Sequence, residues 1–335
     1  MACDTFRDTQ VLITGGLGFI GSTLAIRLID LGAQVTVVDS MIPEYGGNLW
    51  NIEPVRDRVR VNIADVRDEH AMKYLLRHQD ILFNLAGQTS HLDSMEQPYA
   101  DLEINARAQL SILEACRRYN PDIKVVFAST RQIYGKPAYL PVDEAHPLHP
   151  VDVNGINKLA GEMYHLLYHQ VYGIQTSVLR LTNTYGPRMR VVDARQTFLG
   201  IWIRRLLEEQ PIVVYGTGGQ VRDFNYVEDV VDALLVVALA KEANGEIFNL
   251  GHDCPVSLRD TAELLIELNG KGTYQLVPFP AERQAIDIGD YYGDFGKIRR
   301  CLGWTPSTSL QKGLRHTLEF YERHAAHYWP SAVAV

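Results

Sequence analysis

Along the first half of the chain, short runs of consecutive apolar residues alternate with longer stretches whose apolar positions recur every three or four residues. Gln10–Thr14 reads as a buried strand, and Phe19–Leu31 carries an apolar stripe at helical spacing. The strand pattern returns at Gln34–Asp39, Val59–Asn62, Ile81–Ala86, Lys124–Ser129 and Thr176–Leu181. Strands that are apolar throughout, separated by helices, predict right-handed βαβ units and a doubly wound parallel α/β sheet covered on both faces. Two long helices carry Leu102, Ala106, Leu110 and Leu113, and Leu159, Met163, Leu167 and Val171. Their stripes are expected to pack on the sheet, with the outer faces as the alternative, pairing across a dimer. Beyond residue 187 the periodicity is mixed and Pro, Gly and Arg are more frequent. A smaller mixed α/β C-terminal lobe is expected there, while Val227–Ala240 and Gly245–Leu250 return to the main sheet as a helix and a strand.

At 335 residues the chain exceeds the length at which one core usually divides, which supports two lobes. The boundaries expected are residues 1–186 plus 225–251 for the first and 187–224 plus 252–325 for the second. A net charge of −8 argues against nucleic acid as a partner, yet leaves room for a small anion held by a few arginines. Cys3, Cys116, Cys254 and Cys301 are far apart, so neither a disulfide framework nor a metal site is expected, and a reducing, cytoplasmic setting fits best. No apolar run is long enough to span a membrane, and the N-terminus lacks the apolar core of a signal peptide.

Candidate chemistry begins directly after the first strand, at Thr14-Gly-Gly-Leu-Gly-Phe-Ile-Gly21. Gly15 allows a tight turn, Gly18 lets the backbone approach a pyrophosphate, and Gly21 lets helix and strand pack closely; Phe19 and Ile20 complete the opening turn. Asp39 follows at the end of the second strand, where a carboxylate accepts from a ribose 2′-hydroxyl and repels a 2′-phosphate, so NAD is expected rather than NADP. Strand-end topology places Asp65 and Val66 at the adenine, and Leu85, Ala86 and Gly87 beside the pyrophosphate and nicotinamide ribose.

These segments, with Ser129-Thr-Arg-Gln-Ile-Tyr-Gly135, Lys158-Leu-Ala-Gly-Glu162, Asn183-Thr-Tyr-Gly-Pro187, Arg222-Asp-Phe-Asn-Tyr-Val-Glu-Asp229 and Leu302-Gly-Trp-Thr-Pro306, resemble the extended short-chain dehydrogenases/reductases of the NAD-dependent epimerase/dehydratase group, similar to UDP-glucose 4-epimerase. The resemblance covers roughly residues 10–320. It implies a Rossmann-type sheet and a nucleoside-diphosphate sugar that bound NAD oxidises and then reduces on the other face. It also implies that the Thr130 hydroxyl meets the sugar hydroxyl and that Lys158 holds the nicotinamide ribose, easing proton loss nearby. Asn183, Arg222 and Arg283 would reach the diphosphate, Asp287 a nucleotide ribose or Arg283, and Pro211–Tyr215 the nucleobase. A homodimer through residues 98–119 and 154–172 is implied as well.

The sequence departs from that family at two places. The family's base is a Tyr four residues before the Lys, where this chain has Asn154, whose amide does not titrate near neutral pH. His91, Tyr134, Tyr185 and Lys158 are the candidate replacements, and Asn154 would orient substrate or water. Where the dehydratases carry Asp-Glu after the Thr, this chain has Arg131 and Gln132, which argues against dehydration. Three readings follow: a UDP-sugar 4-epimerase, a C2 epimerase of the CDP-tyvelose type suggested by Ala86-Gly-Gln88 and Asp101-Leu-Glu-Ile-Asn105, or an NAD-binding sensor or structural protein without turnover.

Overall fold

The computed structural model describes residues 5–195 and 197–329; Cys3 lies outside them. Seven parallel strands form the central sheet. β1 (Gln10–Thr14) lies inside it, next to the middle strand. On one side follow β2 (Gln34–Asp39) and β3 (Arg60–Ile63). On the other are β4 (Ile81–Asn84), β5 (Lys124–Thr130), β6 (Gln175–Leu181) and then strand Ile247–Asn249. The order reverses between β1 and β4, which opens a crevice at the carboxyl ends of the strands, the usual ligand position in such sheets. One core cluster holds Val11, Ile13, Val35 and Phe83 with Leu24 and Leu28 of α1 (Phe19–Asp30); the cluster on the other face holds Leu12, Val38, Leu82 and Val125. Alternate residues of the same strands thus go to opposite faces, as strand geometry requires.

β4 ends at Asn84, two residues before the sequence pattern does, for a chemical reason. The amides of Leu85 and Ala86 donate to Thr14 Oγ1 at 3.1 and 3.2 Å instead of continuing the ladder.

The long helices differ more. The first is broken into α4 (Pro98–Leu102), a wide π turn at Glu103–Arg107 and α5 (Ala108–Tyr119); it follows α2 (Glu69–Leu75) and α3 (His91–Glu96). On α6 (Val153–Tyr172) the apolar stripe does not pack on the sheet. Met163, Leu167 and Val171 are exposed, and the buried face carries Asn154, Lys158, Glu162 and His165. That polar face is compatible with burial because its groups are paired. Glu162 accepts from Arg180 and Ser129, and His165 donates to Gly161 O while stacking on Phe127.

C-terminal segments build a separate cluster around Trp202, Ile212, Val214, Leu265 and Leu318, in which strand Ile212–Tyr215 pairs with Tyr274–Val277. Among the described residues no helix is long and apolar enough to cross a membrane, and Cys116, Cys254 and Cys301 are free thiols.

Candidate active site

The crevice at the reversal point widens into a cleft of about 700 Å³ between the sheet and the C-terminal segments. Thr130, Lys158, Asn154 and His91 line it together with Asn183, Arg222, Arg283 and Asp287. So do Gly15, Gly18, Phe19, Ile20, Gly21, Asp39, Asp65, Val66, Leu85, Ala86 and Gly87. The sequence scatters these residues over some 270 positions, and the topology gathers them because each follows a strand or faces one.

At one end the backbone has the shape a dinucleotide needs. Gly15 has φ +68°, and a Cβ there would lie 3.0 Å from Ala86 N; a Cβ on Gly21 would lie 2.3 Å from Gly15 O. Side chains at either position would fill the cradle at the amino end of α1, whose free N–H groups favour an anion. Asp39 accepts from Leu17 N at 3.1 Å and Met41 N at 2.9 Å, and burial raises its pKa above the ordinary carboxylate value. Asp65 is held below that value by its bidentate pair with Arg67, so its carboxylate is already engaged at the cleft rim.

Lys158 reaches from α6 toward Gly87: a Cβ on Gly87 would stand 2.9 Å from its Nζ. The ammonium donates to Ala128 O at 3.1 Å, and burial lowers its pKa to about 8, partly countered by Asp101.

Four residues earlier, Asn154 is buried and engaged. Its amide donates to Gln88 O at 2.8 Å and Asp101 Oδ2 at 3.0 Å. Asp101 also accepts from Asn105 and Asn157, so one carboxylate ties α4, the π turn and α6 together. Asn154 N in turn donates to Ser94 Oγ on α3, the helix that begins with His91.

Of the four candidate bases, two tyrosines are corrected by the structure. Tyr134 and Tyr185 are fully buried and do not line the cleft. Burial pushes Tyr134 up to about 12, with its hydroxyl spent on Asn249, and pushes Tyr185 up as well. Burial suits their rings to core packing, which the sequence does not distinguish from a cleft position.

His91 stands otherwise. Its Nδ1 lies 2.9 Å from Asp152 Oδ2, and Asp152 has no exposed side-chain surface while His91 is 37% exposed. Asp152 also accepts from Gln132 Nε2 at 2.8 Å and caps α6 through Gly155 N at 2.7 Å. Burial works to raise the Asp152 pKa, but His91, Gly155 and Gln132 together hold it below the ordinary carboxylate value. Gln132 N donates in turn to Thr130 Oγ1 at 3.2 Å, so Asp152 and Thr130 belong to one hydrogen-bonded wall, against which His91 lies. Asp152 escaped the sequence reading. Its one local signal was a helix N-cap, an acidic residue just before the periodic run.

At the far end the arginines are arranged unequally. Arg222 donates to Val221 O and Gly289 O, and its Nη2 lies 3.5 Å from Asp287; Arg283 stands over the Tyr215 ring at 5.6 Å. Asp287 therefore supports Arg222 and not Arg283, because the turn at 287–290 folds back onto Arg222. Asn183 accepts from Arg131 and donates to Asp223 O. Tyr215, the end of the segment expected at the nucleobase, and Phe279, to which nothing in the sequence pointed, have ring centroids 5.7 Å apart and add an aromatic wall.

A model of the NAD dependent epimerase/dehydratase family matches residues 11–251. A Methanocaldococcus jannaschii protein, given as a candidate UDP-glucose 4-epimerase, is 34% identical over 320 residues, covering 94% of this chain and 99% of that protein. A UDP-glucuronic acid decarboxylase of Xenopus tropicalis is 30% identical over 323 residues, 95% of this chain and 73% of that one. Among solved structures, the UDP-glucose 4-epimerase of Thermotoga maritima with UDP-glucose superposes with a TM-score of 0.87 at 30% identity, covering 95% and 100% of the two chains. The glycine cradle and the crevice at the strand ends fit the cofactor that this match names, and the chain belongs to the NAD dependent epimerase/dehydratase family, with NAD as its cofactor.

Proposed function

We propose that this protein is a nucleotide-sugar epimerase that inverts C4 of a UDP-sugar, with His91 as its general base. The observation that carries the proposal is the His91–Asp152 contact of 2.9 Å on the cleft wall shared with Thr130. A carboxylate at Nδ1 fixes the imidazole as the Nδ1–H tautomer and leaves the Nε2 lone pair to accept a proton.

Bound NAD supplies a reversible hydride acceptor at the sugar carbon. The chain's own residues do the rest. Thr130 positions the sugar hydroxyl, and His91 Nε2 takes its proton as the carbon loses hydride. The same imidazolium returns the proton after the keto sugar turns over and hydride comes back to its other face. Asp152 stabilises the imidazolium between these steps. Gly15, Gly18, Phe19, Ile20 and Gly21 cradle the pyrophosphate, and Asp39 takes the adenosine ribose. Asp65 and Val66 border the adenine, while Leu85, Ala86, Gly87 and Lys158 hold the nicotinamide ribose. Asn183, Arg222, Arg283 and Asp287 face the nucleotide of the substrate, and Asn154 holds α3 and α6 together so that His91 is in place. The exposed Met163, Leu167 and Val171, with Tyr99 and Leu102 opposite, support a homodimer through α4 to α6. The free thiols support a reducing, cytoplasmic setting.

One observation favours a second reading, C2 epimerisation of a CDP-sugar: Gln88 and Asp101, from the segments that suggested it, both accept from Asn154, and Asn105 donates to the same two residues. Proton NMR of UDP-glucose, UDP-glucuronate and CDP-sugars incubated with the protein separates the readings. A C4 epimer is expected and should vanish in His91→Asn. A C2 epimer supports the second reading, and no epimer of any sugar with NAD retained overturns both in favour of a sensor.

A further inference from the structure

Arg131 occupies the position after Thr130, at the carboxyl end of β5, and is among the residues lining the cleft. Nη2 donates to Asn183 Oδ1 at 2.9 Å, and the plane stands 5.3 Å from the centre of the Tyr291 ring. Nη1 is buried and has no hydrogen-bond partner among the described residues.

Among the described residues no carboxylate forms an ion pair with it, although three are close enough to feel its charge. Asp223 accepts from Gly293 N and Thr182 Oγ1. Asp287 is spent on Arg222 and Gly289 N. Asp152 is spent on His91, Gln132 and Gly155. Arg222 nearby adds a like charge, and it is itself depressed to about 10 by burial and by Arg131. A buried guanidinium with an orphaned N–H and no counter-ion is costly unless a ligand provides the anion. The fork also matches a planar carboxylate better than any neutral hydroxyl.

We propose that Arg131 receives a carboxylate on the sugar, so that the substrate is a nucleoside-diphosphate uronic acid. The inference rests on the reading of Thr130 as the residue facing the sugar. Arg131 is its chain neighbour and reaches toward Asn183, between Thr130 and the arginines at the nucleotide end. Its role is to select and orient the substrate and not to transfer a proton.

The test is calorimetric titration of the NAD-loaded protein with UDP, UDP-glucose and UDP-glucuronate, the bases being exchanged for cytosine or thymine if CDP or dTDP binds more tightly than UDP. The glucuronate form is expected to bind at least about tenfold more tightly than the glucose form. Arg131→Gln should bring the two within about threefold and leave the diphosphate alone unchanged, while Arg131→Lys keeps part of the preference. A wild-type difference under threefold overturns the proposal. So does an Arg131→Gln protein whose affinity for the bare diphosphate falls as much as its affinity for the glucuronate form, because the guanidinium would then belong to the phosphates. If Arg131→Gln does not fold, the wild-type and Arg131→Lys titrations decide. Binding does not need turnover, so His91→Asn should retain the glucuronate preference; loss of epimerisation with the preference intact therefore separates a wrong base from a wrong substrate class.

Discussion

Asp152→Asn removes one charge and no bulk, which makes it the sharpest probe of the proposed base. Asparagine is as good an N-cap as aspartate, so the amide oxygen can still accept from Gly155 N and α6 should keep its start. The new NH2 then faces Gln132 Nε2, which had donated to Oδ2, and His91 Nδ1, which lies 2.9 Å away. The imidazole can answer only by moving its proton to Nε2, and it then has no lone pair in the cleft. A general base contributes ~10²–10⁴-fold, which at 1.36 kcal/mol per decade is roughly 3–5 kcal/mol of barrier. Folding should lose less, about 1–3 kcal/mol for hydrogen bonds to a buried carboxylate. The measurement is kcat and KM by coupled assay or NMR beside denaturant unfolding. We expect kcat to fall at least a hundredfold with KM within threefold, and His91→Asn to fall as far. The double variant should be no worse than either single one, since both remove a single unit of function. A variant Asp152→Asn that keeps kcat within threefold, or losses that add in the double variant, would refute the dyad.

Three further outcomes follow from the geometry. Asp39→Asn keeps an acceptor for only one of the Leu17 and Met41 amides, which use different oxygens, and loses the charge, so NAD should bind at least about tenfold more weakly and NADP should be less disfavoured, both read by cofactor fluorescence titration. Burial holds Lys158 at about 8 in the folded protein against 10.5 when free, so between those values the unfolded chain binds more protons and stability rises with pH, a gain lost as pH falls through 8. Lys124 is lowered to about 8 as well, so in urea titrations of the cofactor-free protein from pH 8 to 9.5 Lys158→Met should roughly halve the slope; an unchanged slope refutes the assignment. Leu167→Glu with Val171→Glu places two charges on the exposed stripe of α6 and should turn a dimer into a monomer by sedimentation; a wild-type protein that is already monomeric at micromolar concentration sinks the dimer.

What the sequence made legible was local. The glycine spacing told of a turn at Gly15 and of close packing at Gly21, and both are properties of a few consecutive residues. Asp39 was legible because it ends a strand whose pattern is clear. Contacts between segments remote in sequence were not. Asp152 lies 61 residues from His91, and nothing in either segment names the other. The stripe of Met163, Leu167 and Val171 is expected to pack on the sheet, with the outer face left for a dimer, because periodicity reports that a helix has an apolar face and not what that face meets. In this protein the face toward the sheet is the polar one, held by Glu162–Arg180 and the Asp101 network. Arg131 showed only the loss of a carboxylate; its orphaned Nη1 emerges when Asn183, Asp223 and Asp287 are found committed elsewhere.

Asn154 and His91 make sense together more than apart. A tyrosine at position 154 would have no amide with which to donate to Asp101 and Gln88 O. Leaving Asp101, a buried carboxylate, with fewer donors is destabilising, and a phenol ring would crowd a site with almost no exposed surface. The asparagine instead spends both its side chain and its backbone amide on the wall that carries α3: the side chain on Gln88 O, the amide on Ser94 Oγ. Gln88 in turn donates to Ser90 O, and Ser94 Oγ to His91 O, so two of the bonds from Asn154, those to Gln88 and Ser94, end within one or two contacts of the histidine. On the proposed reading the base is carried by α3 and not by α6, while Lys158 stands beside Gly87. On this argument Asn154→Tyr does not rescue a deficient enzyme. It removes the scaffold of the base already present, so activity should fall, and a variant more active than the parent would show that His91 had never taken over.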